Sequence, residues 1–327
     1  MNKHLNWAFI GTGNIACSMA KNFSEMNKPI YSAWNRTAAR AVEFGKKFNV
    51  EKIFSSCDEM LEDPNIDVVY IATTHDNHID FIRKAINQKK HVLCEKAITL
   101  NSEELTEANN LAEKNKVILA EAMTIWHMPL YKKLWDIVDS GELGKVQMIY
   151  TAHGISREIS SDNRFFGLEL GGGTLLDIGV YALSFALSFM SSHPDQIISK
   201  AILEKTGVDN NECIILANKD MQLANVTLSF TSKIPIHAVV SFDKGYIEIN
   251  STFLRPDTAL IHYNNKNETK LITAGKREDA MKYEVLDMED AIINGNTKEM
   301  MMERTIQVMD IMTKLRKDWG IKFPSEK

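Results

Sequence analysis

The first third of the chain alternates short runs of β-branched and aromatic residues with longer amphipathic stretches. The short runs, at residues 5–10, 30–34, 68–73, 91–95 and 117–121, predict strands that are buried on both faces. Between them, residues 15–23, 38–48, 77–87 and 102–115 have helical periodicity. Strands that alternate with helices form βαβ units, so the sequence predicts a doubly wound parallel sheet of the Rossmann type.

The pattern changes near residue 122. A helical stretch at residues 129–140 is followed by several strand-like runs, some of them joined by turns such as Lys219-Asp220 and Asp243-Lys244-Gly245. These runs predict a large antiparallel sheet, and residues 281–294 and 299–318 are again helical. For 327 residues we therefore predict an α/β protein with domains at 1–122 and 123–327.

Composition narrows the cellular setting. A formal net charge of -5 gives no basic surface for nucleic acid or anionic lipid. The start of the chain lacks the apolar stretch of a secretory signal, and no segment has the roughly 18 consecutive apolar residues of a membrane helix. The cysteines are scattered without a Cys-x-x-Cys pair, which fits reduced thiols. We expect a cytoplasmic protein that binds neither nucleic acid nor membrane, and no metal.

A glycine motif ends the first predicted strand and opens the first helix as Gly11-x-Gly13-x-x-Ala16. Gly11 permits a tight turn, Gly13 lets the backbone approach a pyrophosphate, and Ala16 lets helix and strand pack closely. The alternative is an ordinary glycine-rich turn. Because the motif lies on the first strand of an alternating chain, a dinucleotide is favoured.

The end of the second strand predicts which dinucleotide binds. NAD-selective sites usually have an acidic residue about 20 residues after the motif, which binds the ribose 2′-hydroxyl. This chain has Asn35 followed by Arg36 at that place. A guanidinium binds a 2′-phosphate that a carboxylate would repel, so we expect NADP to be preferred, with NAD as the second choice. A solvated arginine at a helix start is the alternative.

Three blocks in this order resemble one family. They are Gly11-Thr12-Gly13-Asn14-Ile15-Ala16, then Cys94-Glu95-Lys96-Ala97, and then Gly171-Gly172-Gly173 through Asp177 and Tyr181. Together they are similar to the glucose-fructose oxidoreductase and inositol dehydrogenase family, over almost the whole chain. The tyrosine at position 181, where many members have histidine, resembles the dihydrodiol dehydrogenase and glucose-fructose oxidoreductase branch.

This resemblance implies an N-terminal Rossmann domain and a C-terminal α/β domain with a large open antiparallel sheet. It also implies NAD(P) as cofactor, hydride exchange with a carbon of a sugar, cyclitol or related alcohol, and a homodimer or homotetramer formed through the open sheet. The implied cofactor contacts are Gly11, Thr12, Gly13, Asn14, Ile15, Asn35, Arg36, Thr73, Thr74, Asn77, His78, Glu95 and Lys96. The chain departs from the family at Ala97, where proline is usual, and at Trp126, where relatives have arginine.

Asp177 and Tyr181 are spaced to lie on one face of a helix that begins near the glycines. Reduction of a carbonyl leaves negative charge on oxygen, so the site must supply a proton. Tyrosine has an ordinary pKa near ~10 and needs a nearby cation to act at neutral pH. We expect Tyr181 to be the general acid/base, Lys96 the cation and Asp177 the orienting group; the proton donor is either Tyr181 or Lys96. The alternative is a core tyrosine with a solvated lysine.

Three further interpretations stay open. Arg164 precedes the glycines and could bind an anionic or hydroxylated substrate, or form a surface ion pair with Asp162 or Glu169. His75 and His78 could be read as a metal pair, but they lack a third ligand nearby. The favoured function is an NADP-preferring oxidoreductase acting on a sugar-like polyol or cyclic diol. The alternatives are a dinucleotide-binding regulatory protein without activity and an NAD-linked inositol-type dehydrogenase.

Overall fold

The computed structural model of the chain describes residues 4–160, 163–249, 251–265 and 268–326. These residues pack into two compact units. The first runs through Met123 and also contains Met281–Met302; the second contains Thr124–Ala280 and the chain from Glu303 onward. The predicted domains at residues 1–122 and 123–327 place Met281–Met302 in the second domain, whereas this segment packs in the first unit.

The first unit is built on a six-stranded parallel sheet in the order β3-β2-β1-β4-β5-β6. Its strands are β1 (Trp7–Ile10), β2 (Ser32–Trp34), β3 (Lys52–Ile53), β4 (Val68–Ile71), β5 (His91–Glu95) and β6 (Leu119–Ala122). The helices that alternate with them are α1 (Asn14–Glu25), α2 (Ala38–Phe48), α3 (Cys57–Glu62), α4 (His75–Asn87) and α5 (Ser102–Asn115). The predicted Rossmann-type sheet is confirmed, and the short β3 and α3 are additions to it.

Large aromatic side chains fill the core of this unit. Phe23 of α1 meets Trp7 and Phe9 of β1 edge to face, with each pair of ring centroids 5.4 Å apart. The segment that returns to this unit packs Val285 and Met288 against the same cluster. Burial of these apolar side chains is the main source of stability for such a core.

The second unit is built on an eight-stranded sheet in the order β14-β13-β12-β11-β7-β10-β9-β8. Its strands are β7 (Val146–Gly154), β8 (Gln196–Leu203), β9 (Asp209–Ala217), β10 (Leu223–Ser229), β11 (Ile234–Phe242), β12 (Gly245–Ile249), β13 (Thr258–Tyr263) and β14 (Thr269–Thr273). All neighbours are antiparallel except β7 and β10, which are parallel. The predicted large antiparallel sheet is confirmed, with one parallel pair at its centre.

The remaining helices complete the two units. They are α6 (Thr124–His127), α7 (Pro129–Asp139), α8 (Val180–Phe189), α9 (Ala280–Asn294) and α10 (Met302–Trp319). Helix α8 is apolar almost all round and largely buried, as expected for a core helix. The segment Leu168–Phe189 is long and apolar enough to cross a membrane, but 89% of its most apolar window is buried inside the fold, as in the core helix of a globular protein.

The two faces of the large sheet differ. One face carries Ile149, Ile214, Val226, Val240 and Ile247, all of which are fully buried. On the other face, the register places Tyr150 opposite Asn225, Asn225 opposite Ile215, and Ile215 opposite Ile198. Tyr150, Ile215 and Ile198 are exposed. We call this second surface the open face of the sheet.

Candidate functional site

Gly11 and Gly13 of the first loop have different surroundings. Gly11 has a φ of +92°, and a Cβ at that position would lie 2.4 Å from the carbonyl oxygen of Ala72. Gly11 is therefore required by the fold itself. At Gly13 a Cβ would meet no atom of the described residues within 4 Å. The protein does not need glycine at position 13, and the open space beside it fits the approach of a pyrophosphate.

The first turn of α1 also fits an anion. Gly13 is its N-cap residue and has no side chain to accept a bond from the first N–H groups, and the turn has no acidic residue. By contrast, Ser56 caps α3 and Asn101 caps α5, and each cap is followed by two acids. Unbonded N–H groups at a helix N-terminus attract negative charge. Asn14 and Ile15 are exposed beside them.

Asn35 and Arg36 lie where β2 ends. The Asn35 side chain donates to Thr12 Oγ1 over 2.9 Å and accepts from the Thr37 backbone N–H over 2.8 Å, so it ties the end of β2 to the glycine loop. Arg36 is exposed, and the first turn of α2 after it contains no acid. The first turn of α2 therefore offers no carboxylate that would repel a 2′-phosphate.

The turn that carries Lys96 follows β5, and two histidine rings contact its backbone carbonyl groups. His75 Nε2 lies 3.2 Å from the carbonyl oxygen of Lys96, and His78 Nδ1 lies 3.0 Å from that of Ala97. The peptide bond between Lys96 and Ala97 is cis. His78 is fully buried, and burial lowers the pKa of its imidazole. Its ring supports the turn; its predicted contact with the cofactor stays a prediction.

Thr73, Thr74 and Asn77 surround the start of α4 and are half-buried. Asn77 donates to Thr74 Oγ1 over 3.0 Å and so fixes the first turn of that helix. His75 and His78 meet edge to face with ring centroids 5.7 Å apart. Across the described residues, no group of three or more His, Cys, Asp or Glu side chains is placed to hold a metal ion.

Buried acidic groups lie near the ends of β5 and β6. The Tyr70 hydroxyl donates to Glu95 Oε1 over 2.5 Å, and the Ile98 N–H donates to Glu121 Oε1 over 3.0 Å. Glu284 is 1% exposed. Burial, followed by the negative charges of Glu95, Asp287 and Glu121, raises the pKa of Glu284 well above its usual range. Sequence analysis did not find Tyr70, Glu121 or Glu284 because they are distant from the motifs in the chain.

The glycines at 171–173 are explained by their protein neighbours. Gly171 has a φ of +66°, in the left-handed region. A Cβ at Gly172 would lie 2.9 Å from the Gly167 carbonyl oxygen and 3.1 Å from that of Arg164. A Cβ at Gly173 would lie 2.4 Å from Asp209 Oδ1. These glycines let the loop that carries Arg164 and the side chain of Asp209 pack directly on the main chain.

Asp209 fixes the start of the segment that carries the predicted catalytic residues. Its Oδ2 accepts from the Leu175 backbone N–H over 2.6 Å, and its carbonyl oxygen accepts from Thr174 Oγ1 over 3.2 Å. The side chain is buried. Beside it lies the fully buried Glu212, whose oxygens have no hydrogen-bond partner of normal geometry in the part of the chain described. Burial first, and then the charge of Asp209, raises the pKa of Glu212 well above its usual range.

Asp177 lies in a π-helical turn, Leu175–Gly179, which leads directly into α8. Such turns are rare and occur often at functional sites. Asp177 is 6% exposed, and Tyr181 at the start of α8 is half-buried. The sequence predicted a helix with these two residues near its start, but it did not predict the π-helical geometry.

Two arginines converge on Asp177. Arg157 Nη2 donates to Asp177 Oδ2 over 3.1 Å, and Arg164 Nη2 lies 3.8 Å from Asp177 Oδ1. Of the alternatives for Arg164, Asp162 lies outside the described residues, and the ion pair within them is with Asp177 rather than with Glu169. Sequence analysis missed Arg157, which no motif marks. Trp126 is fully buried in α6.

Comparisons with known proteins agree along the whole chain. A model of an oxidoreductase family with an NAD-binding Rossmann fold matches residues 5–123, and a model of the GFO/IDH/MocA C-terminal domain matches residues 131–248. The chain is 26% identical over 329 residues to a trans-1,2-dihydrobenzene-1,2-diol dehydrogenase of Xenopus tropicalis, covering 97% of this chain and 99% of the relative. The Mus musculus enzyme of that name is 27% identical over 334 residues, covering 99% of both chains.

Solved structures share the fold. KijD10, a 3-ketoreductase from Actinomadura kijaniata, superposes with a TM-score of 0.85 at 20% identity, over 96% of this chain and 98% of its own. The UDP-N-acetylglucosamine 3-dehydrogenase GnnA of Acidithiobacillus ferrooxidans superposes with a TM-score of 0.82 at 18% identity, over 96% and 97% of the two chains. Because both domain models match and the relatives are covered over nearly their whole length, the chain belongs to the GFO/IDH/MocA family of NAD(P)-binding oxidoreductases, which act on hydroxyl and carbonyl groups.

Proposed function

We propose that this oxidoreductase prefers NADP and interconverts a secondary alcohol and a carbonyl of a sugar, cyclitol or cyclic diol. The observation that carries the proposal is the contrast between the glycines of the first loop. Gly11 is needed by the fold, whereas Gly13 faces open space at an uncapped helix start. Relatives named as diol dehydrogenases and sugar-nucleotide oxidoreductases support the substrate class.

The preference for NADP rests on Arg36. Its guanidinium is exposed at the end of β2, next to a helix start without acidic residues. Asn35 stands where NAD-selective members have a carboxylate, and its amide is engaged by Thr12 and Thr37. The related 3-ketoreductase was crystallised with NADP. Arg36→Ala should weaken NADP binding and leave NAD binding nearly unchanged; equal affinities in both proteins would contradict the preference.

The catalytic roles follow from side-chain chemistry. The nicotinamide, when bound, supplies or accepts the hydride. Tyr181 moves the proton to or from the substrate oxygen, Lys96 supplies positive charge for that step, and Asp177 orients a substrate hydroxyl. Solved forms of the related 3-ketoreductase include a variant with one tyrosine changed to phenylalanine and another with one lysine changed to alanine.

Turnover tests these roles. Purified protein is mixed with NADP and a panel of polyols and cyclic diols, and the absorbance of reduced nicotinamide is followed. Tyr181→Phe should lower kcat by roughly 100-fold or more while the NADP dissociation constant changes little. Tyr283→Phe, which alters a tyrosine outside the proposed machinery, is the matched control. Unchanged turnover in Tyr181→Phe would remove the residue from the mechanism. Tight NADP binding without turnover of any substrate would favour a regulatory dinucleotide-binding protein instead.

We further propose that the protein forms a homodimer or homotetramer in the cytoplasm through the open face of its large sheet. Ile198 is 66% exposed on that face, Leu271 61% and Met148 48%. Large apolar side chains exposed on one face of a sheet suit contact with a second copy of the chain. None of the four cysteines, all within the described residues, forms a disulfide, as suits a reducing compartment.

A further inference from the structure

We propose that the substrate carries an anionic group, a carboxylate or a phosphate, and that Arg157 and Arg164 bind it. This inference rests on the proposed function, because it names the substrate class of the site to which Asp177 belongs. It goes further in committing to a charge and in assigning a role to Arg157.

Arg157 is held rigidly in place. Its backbone N–H donates to the Phe230 carbonyl oxygen over 2.9 Å, continuing the pairing beyond the end of β7. Its guanidinium carbon lies 3.4 Å from the ring centroid of Phe165 and 4.8 Å from that of Phe230. Such stacking fixes the plane of the guanidinium before a ligand arrives, which lowers the entropy lost on binding.

Among the residues that the structure describes, the charges around Asp177 do not balance. Two guanidinium groups face it, and Asp177 is the one carboxylate among the described residues that pairs with either of them. Arg157 satisfies Oδ2 with a hydrogen bond, whereas Arg164 lies beyond hydrogen-bond distance of Oδ1. Among the described residues, the positive charge of Arg164 therefore has no carboxylate of its own, and its side chain is half exposed to solvent.

Hydrogen-bond donors are left over as well. Arg157 Nε is buried and has no partner among the residues that the structure describes. Burial lowers the pKa of the Arg157 guanidinium, and the positive charge of Arg164 lowers it further, while the negative charge of Asp177 acts in the opposite direction. Both effects would be relieved by a second anion placed against the two arginines. Arg164 stacks 4.3 Å from the same Phe165 ring and is 52% exposed, so it can reach such a ligand from solvent.

A purely structural role for the pair explains less. One arginine suffices to neutralise Asp177, and a half-exposed arginine at 3.8 Å adds little stability through a solvent-screened pair. The loop that carries Arg164 packs so closely on Gly172 that a Cβ there would touch three of its carbonyl oxygens. The chain therefore holds Arg164 close to Asp177 by a contact that only glycine permits.

Matched pairs of ligands test the charge. Binding of D-glucose, D-glucuronate and D-glucose 6-phosphate to the NADP-loaded protein is measured by calorimetry at constant ionic strength. We expect an anionic member to bind about 10-fold or more tightly than glucose, and Arg164→Gln to remove that difference. Arg157→Lys, which keeps the charge but loses the planar fork, should weaken the anion more than glucose. Lys205→Gln, an exposed change in the same unit, is the control and should keep the difference.

The two anions distinguish the source of the charge: preference for glucuronate indicates a carboxylate, and preference for glucose 6-phosphate indicates a phosphate. Equal or tighter binding of glucose overturns the inference, as does a charge preference that survives Arg164→Gln or an absence of binding by both anions. The proposed function is tested separately by NADP affinity and by turnover of neutral polyols. An active enzyme that ignores anions would therefore refute only the charged substrate.

Discussion

Glycines in the two functional loops are constrained by different neighbours. Gly11 is required by the Ala72 carbonyl, Gly172 by the carbonyls of the Arg164 loop, and Gly173 by the Asp209 carboxylate. Gly13 has no such neighbour among the described residues. A methyl group at position 13 would therefore be tolerated by the fold and, if the proposed cofactor site is right, opposed by a bound pyrophosphate. A methyl group at position 11 would be opposed by the fold.

The paired substitutions Gly13→Ala and Gly11→Ala separate these effects. Gly13→Ala should keep the wild-type melting temperature and weaken NADP binding by roughly 10-fold, because its Cβ occupies the approach of the phosphates. Gly11→Ala should lower the free energy of unfolding by more than about 1 kcal/mol, since its φ is positive and its Cβ meets backbone. Thermal melts and cofactor titrations measure both. An NADP affinity unchanged in Gly13→Ala would count against the assigned cofactor site.

Glu212 provides a pH test at a single side chain. Its pKa is raised in the folded protein, mainly by burial, so it stays protonated when the unfolded chain would ionise. Its contribution to stability is therefore complete below the unfolded pKa of ~4.3 and is lost as pH rises toward the folded pKa.

Glu212→Gln should consequently stabilise the protein at pH above ~4.3, by up to about 1.4 kcal/mol per pH unit until the folded pKa is reached. The gain should vanish at more acidic pH, where the carboxyl is neutral in both states. Urea unfolding across this range measures it, with Glu62→Gln as an exposed control. A gain that does not change with pH would show that folding leaves the pKa of Glu212 unraised.

At the scale of elements, the predicted catalytic side chains lie on segments whose ends are fixed by buried polar contacts. The Lys96 turn is fixed by His75, His78 and Glu121, and the π-helical turn of Asp177 is fixed by Asp209. These anchoring residues are distant in sequence from the turns that they contact. Contacts of this kind restrict the orientation of the side chains that the two turns carry.

Asp209→Ala should release the start of the π-helical turn. It leaves the Leu175 N–H without its acceptor, and the lost bond should cost about 1–3 kcal/mol of unfolding free energy, since the site is buried. Activity should fall through kcat, because Asp177 and Tyr181 lie on the released segment. Asp209→Asn, which keeps an acceptor oxygen, should recover part of both losses. If Asp209→Ala matched the exposed control Asp195→Ala in stability and kcat, the anchor would be dispensable.

At the scale of the whole molecule, the large sheet has one covered face and one open face. Tyr150, Ile215 and Ile198 lie in one row across the open face, with Asn225 between Tyr150 and Ile215, and the three apolar side chains remain in contact with solvent. Burial of such a surface between two copies would stabilise the assembly at roughly 25 cal/mol per Å² before the cost of association.

Ile215→Lys should therefore shift the protein toward the monomer, because a desolvated ammonium opposes association. Sedimentation of the wild type should give a dimer or tetramer, and the variant a smaller mass with a similar far-ultraviolet circular dichroism spectrum. Lys219→Glu, in the exposed turn between β9 and β10, is the control. A wild type that sediments as a monomer would rule out the proposed assembly.

Sequence patterns predicted α2, α5 and β5 with the bounds that the structure has, because each combines strong periodicity with clear ends. They missed the two-residue β3 and the six-residue α3, which are too short to show periodicity. They also missed the parallel pairing of β7 with β10. Short turns between successive strand-like runs had suggested that every pair of neighbours is antiparallel.

The sequence alone determined the Rossmann-type fold, the family and the cofactor class, because these depend on local periodicity and on short motifs whose residues are neighbours in the chain. Only the tertiary structure decided what surrounds those motifs. It places the Asp209 carboxylate against Gly173, Arg157 beside Asp177, and Met281–Met302 in the first unit. The physical reason is that buried polar contacts join residues far apart in sequence. Their partners become known only when the chain has been folded and each donor, acceptor and charge has a position.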